Sequence, residues 1–337
     1  MATGVVNLLA GCRSADSRLA AVVLPSSTPP KAPSSSAASA PAAATDERWA
    51  ASANMNIAIY SGSQPVKLLT SSGKDYKPSW SPDGSMLTFF RAYRYGADFK
   101  DWRSSICVIN ADGTGFRELT SAEHPNFNPT WTRDGSQRIL FNRFSMSGDQ
   151  RNQVFWTIPS AKPGDEQLIS DPEYPYFEWV HSGLRDGRVF VDQFSNNAAK
   201  SYLLTPDPGK RGKYEEIERP TTLLWHKLSV SPSETKVAYM LDYDGNIPTY
   251  ADSTICYAQF DVKALKIHHQ VEITEKSMDT IEEYPAWNRD ESLLVYDSNQ
   301  SGVHRVYAYW LANGETTRFS TNTVAADYFA AFEGCPK

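Results

Sequence analysis

The chain has 337 residues, a formal net charge of −6 and a pI near 5.6. No cluster of Lys and Arg stands out, so a nucleic-acid-binding surface is not expected. No stretch approaches the ~18 apolar residues that cross a membrane. The four cysteines include no CxxC pair, and no phosphate-binding, dinucleotide-binding or metalloprotease motif occurs, so neither a metal ion nor a cofactor is expected.

The first 24 residues look like an export signal. Leu9-Ala10-Gly11-Cys12 is similar to the lipobox of bacterial lipoproteins, in which the cysteine is lipidated. The basic residues that open a signal peptide are missing, because no Lys or Arg precedes Arg13. Residues 25–48 are mostly Ser, Ala and Pro, and we expect them to form a disordered tether. The alternatives are a lipid anchor on Cys12 and a leader of no consequence.

A repeat fills residues 49–337, the predicted folded domain. Its clearest copies are Trp80-Ser81-Pro82-Asp83-Gly84, Trp131-Thr132-Arg133-Asp134-Gly135 and Trp287-Asn288-Arg289-Asp290-Glu291, each followed by an apolar run. Gly183 and Val230 replace the Trp in two weaker copies, so the anchors recur about every 50 residues, slightly above the length of a compact propeller blade. Each copy predicts a strand that ends at the anchor, a tight turn and a second strand.

The copies each contain four predicted strands. In the first copy the third strand covers residues 106–109 and the fourth covers residues 116–120. Near the N-terminus, residues 56–60 and 66–70 look like the second half of another unit, and residues 326–332 look like its first strand. Four-stranded units that stack radially form a propeller. The sequence therefore predicts an all-β fold, a six-bladed β-propeller of four-stranded antiparallel blades closed by N- and C-terminal strands.

The repeat resembles that of the TolB-like β-propeller family. The resemblance is carried by residues 80–84, by Asn110-Ala111-Asp112-Gly113 and by Leu119-Thr120, and it covers roughly residues 54–332. It concerns the propeller alone, because a lipobox-like start and a tether stand where TolB carries a separate α/β domain. The resemblance implies the fold and leaves the function open, since such blades occur in binding proteins and in enzymes.

Two groups of residues are candidates for ligand binding at a mouth of the propeller channel. The first group precedes each anchor by four residues and consists of Tyr76, Phe127, Trp179, His226 and Glu283. The second group lies in a long loop of the first copy and consists of Tyr93, Arg94, Tyr95, Trp102 and Arg103. Guanidinium groups bind carboxylates, and aromatic rings stack on sugars. The alternative for both groups is that the rings only pack the fold.

Three functions stay open, and the residues favour a binding module. It would be an exported monomer, in the periplasm or at the outer membrane, that binds an envelope protein, a peptide or a glycan. It would touch the membrane only through a lipid on Cys12. The second possibility is a polysaccharide lyase on an acidic glycan, with His124, His181 and His226 as catalytic candidates, although they precede their anchors by unequal distances. The third is a structural envelope protein without a small ligand.

Overall fold

A computed structural model describes residues 48–95, 101–145, 151–174, 177–195, 198–243, 253–275, 280–319 and 327–332. The predicted leader and most of the predicted tether, with Cys12, lie outside these ranges. Every regular element in the described part of the chain is a β-strand. The all-β class predicted from the sequence is therefore confirmed.

Four sheets have four strands each. The first contains β1 (Arg48–Ala53), β2 (Asn56–Ser61), β3 (Gln64–Leu68) and β24 (Asp327–Phe332), and the second contains β4 (Asp75–Trp80), β5 (Met86–Arg94), β6 (Arg103–Asn110) and β7 (Arg117–Glu118). The third contains β16 (Leu224–Val230), β17 (Lys236–Asp242), β18 (Ser253–Asp261) and β19 (Lys266–Glu272). The fourth contains β20 (Glu282–Trp287), β21 (Leu293–Ser298), β22 (Arg305–Trp310) and β23 (Glu315–Arg318).

A fifth sheet has eight strands. Its first half contains β8 (Asn126–Trp131), β9 (Ile139–Phe144), β10 (Asn152–Thr157) and β11 (Gln167–Leu168). Its second half contains β12 (Phe177–Gly183), β13 (Val189–Ser195), β14 (Ala198–Thr205) and β15 (Lys213–Glu216). Within each half the strands pair antiparallel with their neighbours in sequence.

Six strands line the inside of the molecule and contact one another in cyclic order: β4, β8, β12, β16, β20 and β24. Each of them stands at one end of its own unit, and the other strands of that unit follow it outward in antiparallel order. Sheets that radiate from a ring of inner strands are a β-propeller arrangement. The inner strands therefore surround a central channel.

The prediction of six separate four-stranded blades is wrong in one respect, because the hydrogen bonding joins two of the units into one sheet. The junction is a single parallel pair, Asn152 opposite Phe177. The amides of Asn142 and Asn152 both donate to the main-chain oxygen of Glu178, at 2.8 and 2.9 Å, and so hold the start of β12 against the first half of the sheet. Polar side chains that bridge two units cannot be recognised from the repeat, which is defined by anchors and turns.

The ring closes where β24 pairs antiparallel with β1. Three strands of this sheet come from the N-terminal end of the domain, whereas the sequence predicts two there. The missed strand is β1, whose alanines and serine lack the β-branched residues that mark a strand. Burial nevertheless fixes it, because Trp49 is fully buried and stacks on Tyr60 with ring centroids 4.1 Å apart.

The repeated tryptophans tie neighbouring units together. The indole N–H of Trp131 donates to the main-chain oxygen of Ser79 at 3.1 Å, and that of Trp287 donates to Ser229 at 3.2 Å. Each bond joins the end of one inner strand to the inner strand of another sheet. At Trp131 and Trp287 the anchor therefore buries a large ring and satisfies its single donor, whereas Nε1 of the anchor Trp80 has no acceptor among the described residues.

Candidate functional site

The channel has two different ends. The inner strands begin at one face, which we call the loop mouth and which also carries the connection between β5 and β6, because β5 runs antiparallel to β4. The opposite face, the turn face, carries the turns that follow the anchors. There the guanidinium of Arg133 donates to the main-chain oxygens of Val230 and Ser231, both at 2.8 Å. This bridge passes the end of β12 and ties β8 to β16 at the turn face.

The residues four positions before the anchors lie at the starts of the inner strands, and four of them, Glu283 included, are buried. Tyr76 stacks on Phe90 with centroids 5.3 Å apart, and Phe127 lies 5.5 Å from Trp179. His226 stacks on Phe194 at 5.7 Å. Tyr76, Phe127 and His226 are each less than one tenth exposed, Trp179 is half-buried, and Glu283 is ion-paired. The rings of Phe127, Trp179 and His226 therefore pack between units, whereas the stack of Tyr76 on Phe90 lies within one sheet.

The connection between β5 and β6 presents part of its aromatic set at the loop mouth. Tyr93 and Tyr95 are exposed, to 42% and 38%, and Arg94 is exposed as well. Tyr95 packs edge-on against Trp102, with centroids 4.6 Å apart, and Trp102 is buried. The guanidinium of Arg103 donates to the main-chain oxygen of Trp102 at 2.6 Å. This group therefore divides into exposed residues at the end of β5 and structural residues at the start of β6.

The phenol of Tyr93 is anchored to the outer part of its sheet. Its hydroxyl donates a hydrogen bond to the carboxylate of Glu118 on β7. Partial burial and the neighbouring carboxylate raise the pKa of Tyr93 to about 12. The ring is consequently held in one orientation with its face open to solvent, which suits stacking on a ligand.

A bulge redirects one residue of four inner strands into the channel. The bulged residues precede their anchors by three positions and have φ between 53° and 60°: Lys77, Asn128, Tyr284 and Lys227. In all four strands the neighbouring residues on both sides are buried, whereas the bulged residue is half-buried. A bulge re-aims a side chain, and here it turns a side chain toward the axis.

Three of these side chains meet and form what we call the channel cluster: Lys77, Lys227 and Tyr284. The ammonium of Lys227 donates to the phenolic oxygen of Tyr284 at 2.8 Å and lies 4.4 Å from its ring centroid. The ammonium of Lys77 lies 5.2 Å from the same centroid. Because β4 and β16 belong to sheets that are not neighbours in the ring, the cluster spans the channel.

The electrostatics of the channel cluster are unusual, because two amines share one ring. Burial and the positive charge of Lys227 together lower the pKa of Lys77 to about 7, although the carboxylate of Glu283 opposes the shift. Lys227 is the better compensated amine, since its Nζ lies 3.4 Å from the carboxylate of Glu283. Lys77 can therefore present a neutral amine close to neutral pH.

A second layer of titratable groups lies behind Glu283. Asp297 is paired with Glu283 across the β20–β21 ladder and accepts a hydrogen bond from Nδ1 of His304 at 3.2 Å. Burial raises the pKa of Asp297 to about 6, and the charge of Glu283 contributes to this shift. Burial opposes the shift of His304, but the hydrogen bond and charge of Asp297 raise its pKa.

The three histidines proposed for a lyase lie in two different surroundings. Nε2 of His181 donates a hydrogen bond to the carboxylate of Asp192 at 2.8 Å. Burial and the nearby charge of Lys227 lower the pKa of His226 to about 3, so this imidazole is neutral. Burial and Arg143 lower the pKa of His124, which precedes β8 in the connection from β7. The partners of His124 are thus distinct from those of His181 and His226.

The sequence analysis selected the residues four positions before the anchors, whereas the channel cluster consists of residues three positions before them. Its signal was present, because Lys77, Asn128 and Tyr284 each precede a proline inside a predicted strand. Proline removes a donor from the ladder and marks a bulge or an edge. A polar residue before such a proline is therefore a candidate for the channel. Lys227 lacks this mark, since Leu228 follows it.

The described residues also bear on metal binding and on membrane insertion. Within the described ranges, no three His, Cys, Asp or Glu side chains are grouped so that they could hold a metal ion. In the same part of the chain, no helix has the length and apolar character needed to cross a membrane.

Comparison with known proteins identifies the fold. No protein-family model matches the chain, and no curated protein sequence matches it. TolB from Acinetobacter baumannii is similar in structure, with a TM-score of 0.63, 14% identity, and coverage of 87% of this chain and 68% of that chain. The predicted likeness to the TolB propeller is thus confirmed at the level of the fold.

Two further solved structures are similar in fold. A hydrazine synthase chain from Kuenenia stuttgartiensis matches with a TM-score of 0.61 and 11% identity over 87% of this chain and 47% of that chain. A chain of a nidogen/laminin complex matches with a TM-score of 0.56 and 9% identity over 86% of this chain and 99% of that chain. At such identities the likeness concerns the fold alone.

Proposed function

We propose that this protein is a TolB-like binding module that holds a protein, peptide or glycan partner at the loop mouth of its propeller. The observation that carries the proposal is the channel cluster, in which Lys77, Lys227 and Tyr284 converge from three sheets. Two amines that contact the ring of one phenol can bind carboxylate and hydroxyl groups. Ligand sites in proteins commonly combine apolar walls with a few convergent polar groups of this kind.

The exposed residues at the end of β5 extend this site. Tyr93, Arg94 and Tyr95 stand at the loop mouth, and Tyr95 reaches inward to Tyr76 with ring centroids 6.0 Å apart. A cation between two exposed rings suits an acidic peptide or an acidic glycan. The ligand would then contact Arg94 outside and the channel cluster inside.

We count the ring as six blades, with the eight-stranded sheet as two of them. The support is the cyclic contact of six inner strands and the antiparallel order that repeats within each half of that sheet. Each half also starts with an inner strand that has a bulge before its anchor position. The single pair that joins the halves involves only Asn152 and Phe177.

We further propose that the module acts in the bacterial envelope as a monomer, in the periplasm or at the outer membrane, tethered through a lipid on Cys12. The support is the lipobox-like Leu9-Ala10-Gly11-Cys12 and the Ser/Ala/Pro tract that follows it. The test is metabolic labelling with a fatty acid followed by fractionation. The native chain is expected to be labelled and membrane-bound, and Cys12→Ser is expected to be unlabelled and released.

Calorimetric titration of the full chain tests the binding function. The probes are oligogalacturonate, a neutral oligosaccharide of the same length and a synthetic peptide rich in Glu. Lys227→Met is expected to weaken binding of an acidic probe at least about 10-fold, which is about 1.4 kcal/mol. The matched control is Lys236→Met, since Lys236 is also half-buried and ion-paired but contacts Glu291 and lies at the turn face.

The outcomes of this titration are distinct. Equal losses in the two variants, or no binding of any probe, contradict the proposal. A rise in ultraviolet absorbance with oligogalacturonate would indicate an unsaturated uronate and hence the lyase reaction. In that case His124, His181 and His226 would be the first residues to replace.

A further inference from the structure

Lys77 differs from the other amine of the channel cluster in its partners. Lys227 has a phenol and a carboxylate within reach of its ammonium. Lys77 contacts the face of Tyr284, and among the described residues its Nζ has neither a hydrogen bond nor an ion pair. The Lys77 amine therefore lacks an anion that would hold its proton.

The groups around Lys77 act against its positive charge. Burial and the ammonium of Lys227 lower its pKa to about 7, while Glu283 acts in the opposite direction and is itself engaged with Lys227. Asp297 and His304 lie behind Glu283. A lysine that is desolvated beside another cation is a nucleophilic amine at neutral pH.

We propose that Lys77 is a carbonyl-reactive amine that forms an imine with an aldehyde or keto group of a ligand in the channel. The inference rests on the proposed binding function, because the ligand must enter through the loop mouth. The neutral Nζ attacks the carbonyl carbon, a C–N bond forms as the π bond of the carbonyl group breaks, the nitrogen loses one proton and the oxygen takes one up. Loss of one water from this carbinolamine gives the C=N bond, so no oxidant or reductant is required.

Lys227 is a positioning residue for this step. Its ammonium lies on the ring that Lys77 also contacts, so a carboxylate next to the carbonyl group would face Lys227 while the carbonyl carbon faces Lys77. The Lys227–Tyr284 hydrogen bond also places a proton donor beside the carbonyl oxygen. The preferred carbonyl compounds are therefore those with an adjacent carboxylate, such as 2-oxo acids and glyoxylate.

Reductive trapping on the full chain tests the inference. Glyoxylate and cyanoborohydride convert each imine into a stable secondary amine, which peptide mass spectrometry locates. At pH 7 about half of the Lys77 amines are neutral, against roughly 0.04% for a lysine of ordinary pKa. Lower basicity reduces intrinsic reactivity, so labelling of Lys77 is expected to be about 10-fold faster than that of the exposed Lys210. The other lysines of the same sample serve as internal controls.

Two variants separate reactivity from positioning. Lys227→Met is expected to slow trapping of glyoxylate several-fold and to leave trapping of acetaldehyde, which has no carboxylate, less affected. It also removes a like charge, so the pH at which Lys77 reaches half its maximal labelling rate rises. Lys236→Met is expected to change neither rate.

The inference is overturned if Lys77 reacts no faster than Lys210 at pH 7 and at pH 9. That measurement uses the native chain, so it does not depend on whether a variant folds. Ligand binding in the calorimetric titration together with ordinary reactivity of Lys77 would leave the binding module intact and remove only the covalent step. Fast labelling of Lys77 without binding of any probe would contradict the binding function as proposed and would still support the carbonyl reactivity of Lys77.

Discussion

Asp192 and Asp297 occupy the same place in two sheets, yet their surroundings oppose each other. Both lie on the second strand of a unit, opposite the residue four positions before the anchor: Asp192 faces Trp179, and Asp297 faces Glu283. Both carboxylates are fully buried, and each one contacts a histidine. The difference between them therefore comes from the remaining neighbours.

Asp192 is surrounded by donors. Its carboxylate accepts hydrogen bonds from Trp225 at 3.1 Å and from Ser201 at 2.5 Å, in addition to the contact with His181 at 2.8 Å. Burial alone would raise its pKa, but the charge and hydrogen bond of His181, helped by Arg219 and Ser201, lower it. This charged carboxylate therefore links β12, β13, β14 and β16 through hydrogen bonds.

Asp297 has fewer donors and a like charge beside it. His304 donates to Oδ2, whereas Oδ1 has no hydrogen-bond partner among the described residues. Burial and Glu283 raise its pKa. The comparison shows that one strand position serves stability in one sheet, whereas beside the channel cluster it holds a carboxylate that titrates close to the physiological range.

The largest expected effect is a difference in the free energy of unfolding between two substitutions, one at each carboxylate. Asp192→Asn should lower the free energy of unfolding at pH 7 by about 3 kcal/mol, because the amide places a donor against donors and leaves buried groups unpaired. Asp297→Asn should change it by less than about 1 kcal/mol, since only one hydrogen bond meets this carboxylate. Urea unfolding followed by tryptophan fluorescence measures both, and equal losses would contradict the comparison.

The second effect concerns pH. The folded-state pKa of Asp297 is raised from 3.8 to about 6, so folding favours the protonated carboxyl group. The stability that this protonation contributes is complete below pH 3.8 and is lost as the pH rises through about 6. The free energy of unfolding of the native chain relative to Asp297→Asn should therefore fall by on the order of 2 kcal/mol across this window. Urea midpoints between pH 4 and 7 measure it.

The matched control for the pH effect is Asp192→Asn. The pKa of Asp192 is lowered, so its contribution is present above the ordinary value of 3.8 and is lost only as the pH falls below it. The difference between the native chain and this variant should be flat from pH 4 to 7. If this difference in the free energy of unfolding changed with pH as steeply as the difference for Asp297→Asn, the two carboxylates would not differ in their titration.

A smaller effect isolates one donor to Asp192. Trp225→Phe deletes the indole N–H that reaches the carboxylate, and its cost should exceed that of Trp80→Phe by about 1 to 2 kcal/mol. Trp80 is the matched control because it is also buried, and its Nε1 has no acceptor among the described residues. Thermal unfolding measures both variants, and equal costs would mean that packing alone explains Trp225.

The smallest effect links Asp297 to the channel. Glu283→Gln removes the like charge and also leaves Lys227 less compensated, so the pKa of Asp297 should fall by about half a unit. Carboxyl chemical shifts in a pH titration by NMR measure this change. Glu291→Gln, which alters an ion pair at the turn face, should leave the Asp297 titration unchanged.

Much of the fold could be predicted from local patterns. The Trp anchors, the Ser-Pro-Asp-Gly turn and the apolar runs identified the inner and second strands, because strand period and turn chemistry act within about ten residues. Gly84 at a positive φ of 71° ends the first such turn as the pattern requires. Strand β1 was missed since its alanines and serine lack the β-branched residues typical of strands. The joined sheet was missed since it depends on two asparagines and one main-chain oxygen.

The candidate site was predicted only in part. The positions four before the anchors do lie at the strand starts, but Tyr76, Phe127 and His226 are buried. The channel cluster instead uses the bulged positions one residue later. Neighbouring residues of a strand point to opposite faces. A one-residue bulge therefore changes which side chain points into the channel and which one packs against the neighbouring sheet.

By itself the sequence determined that this protein is an all-β repeat with anchored inner strands, because apolar alternation and turn residues act locally. Only the tertiary structure decided which side chains face each other across the ring. Lys77 and Tyr284 are far apart in sequence, and their contact depends on closure of the ring by β1 and β24. Burial then set the protonation of Lys77 and Asp297, because desolvation is a property of the assembled fold and not of the residue.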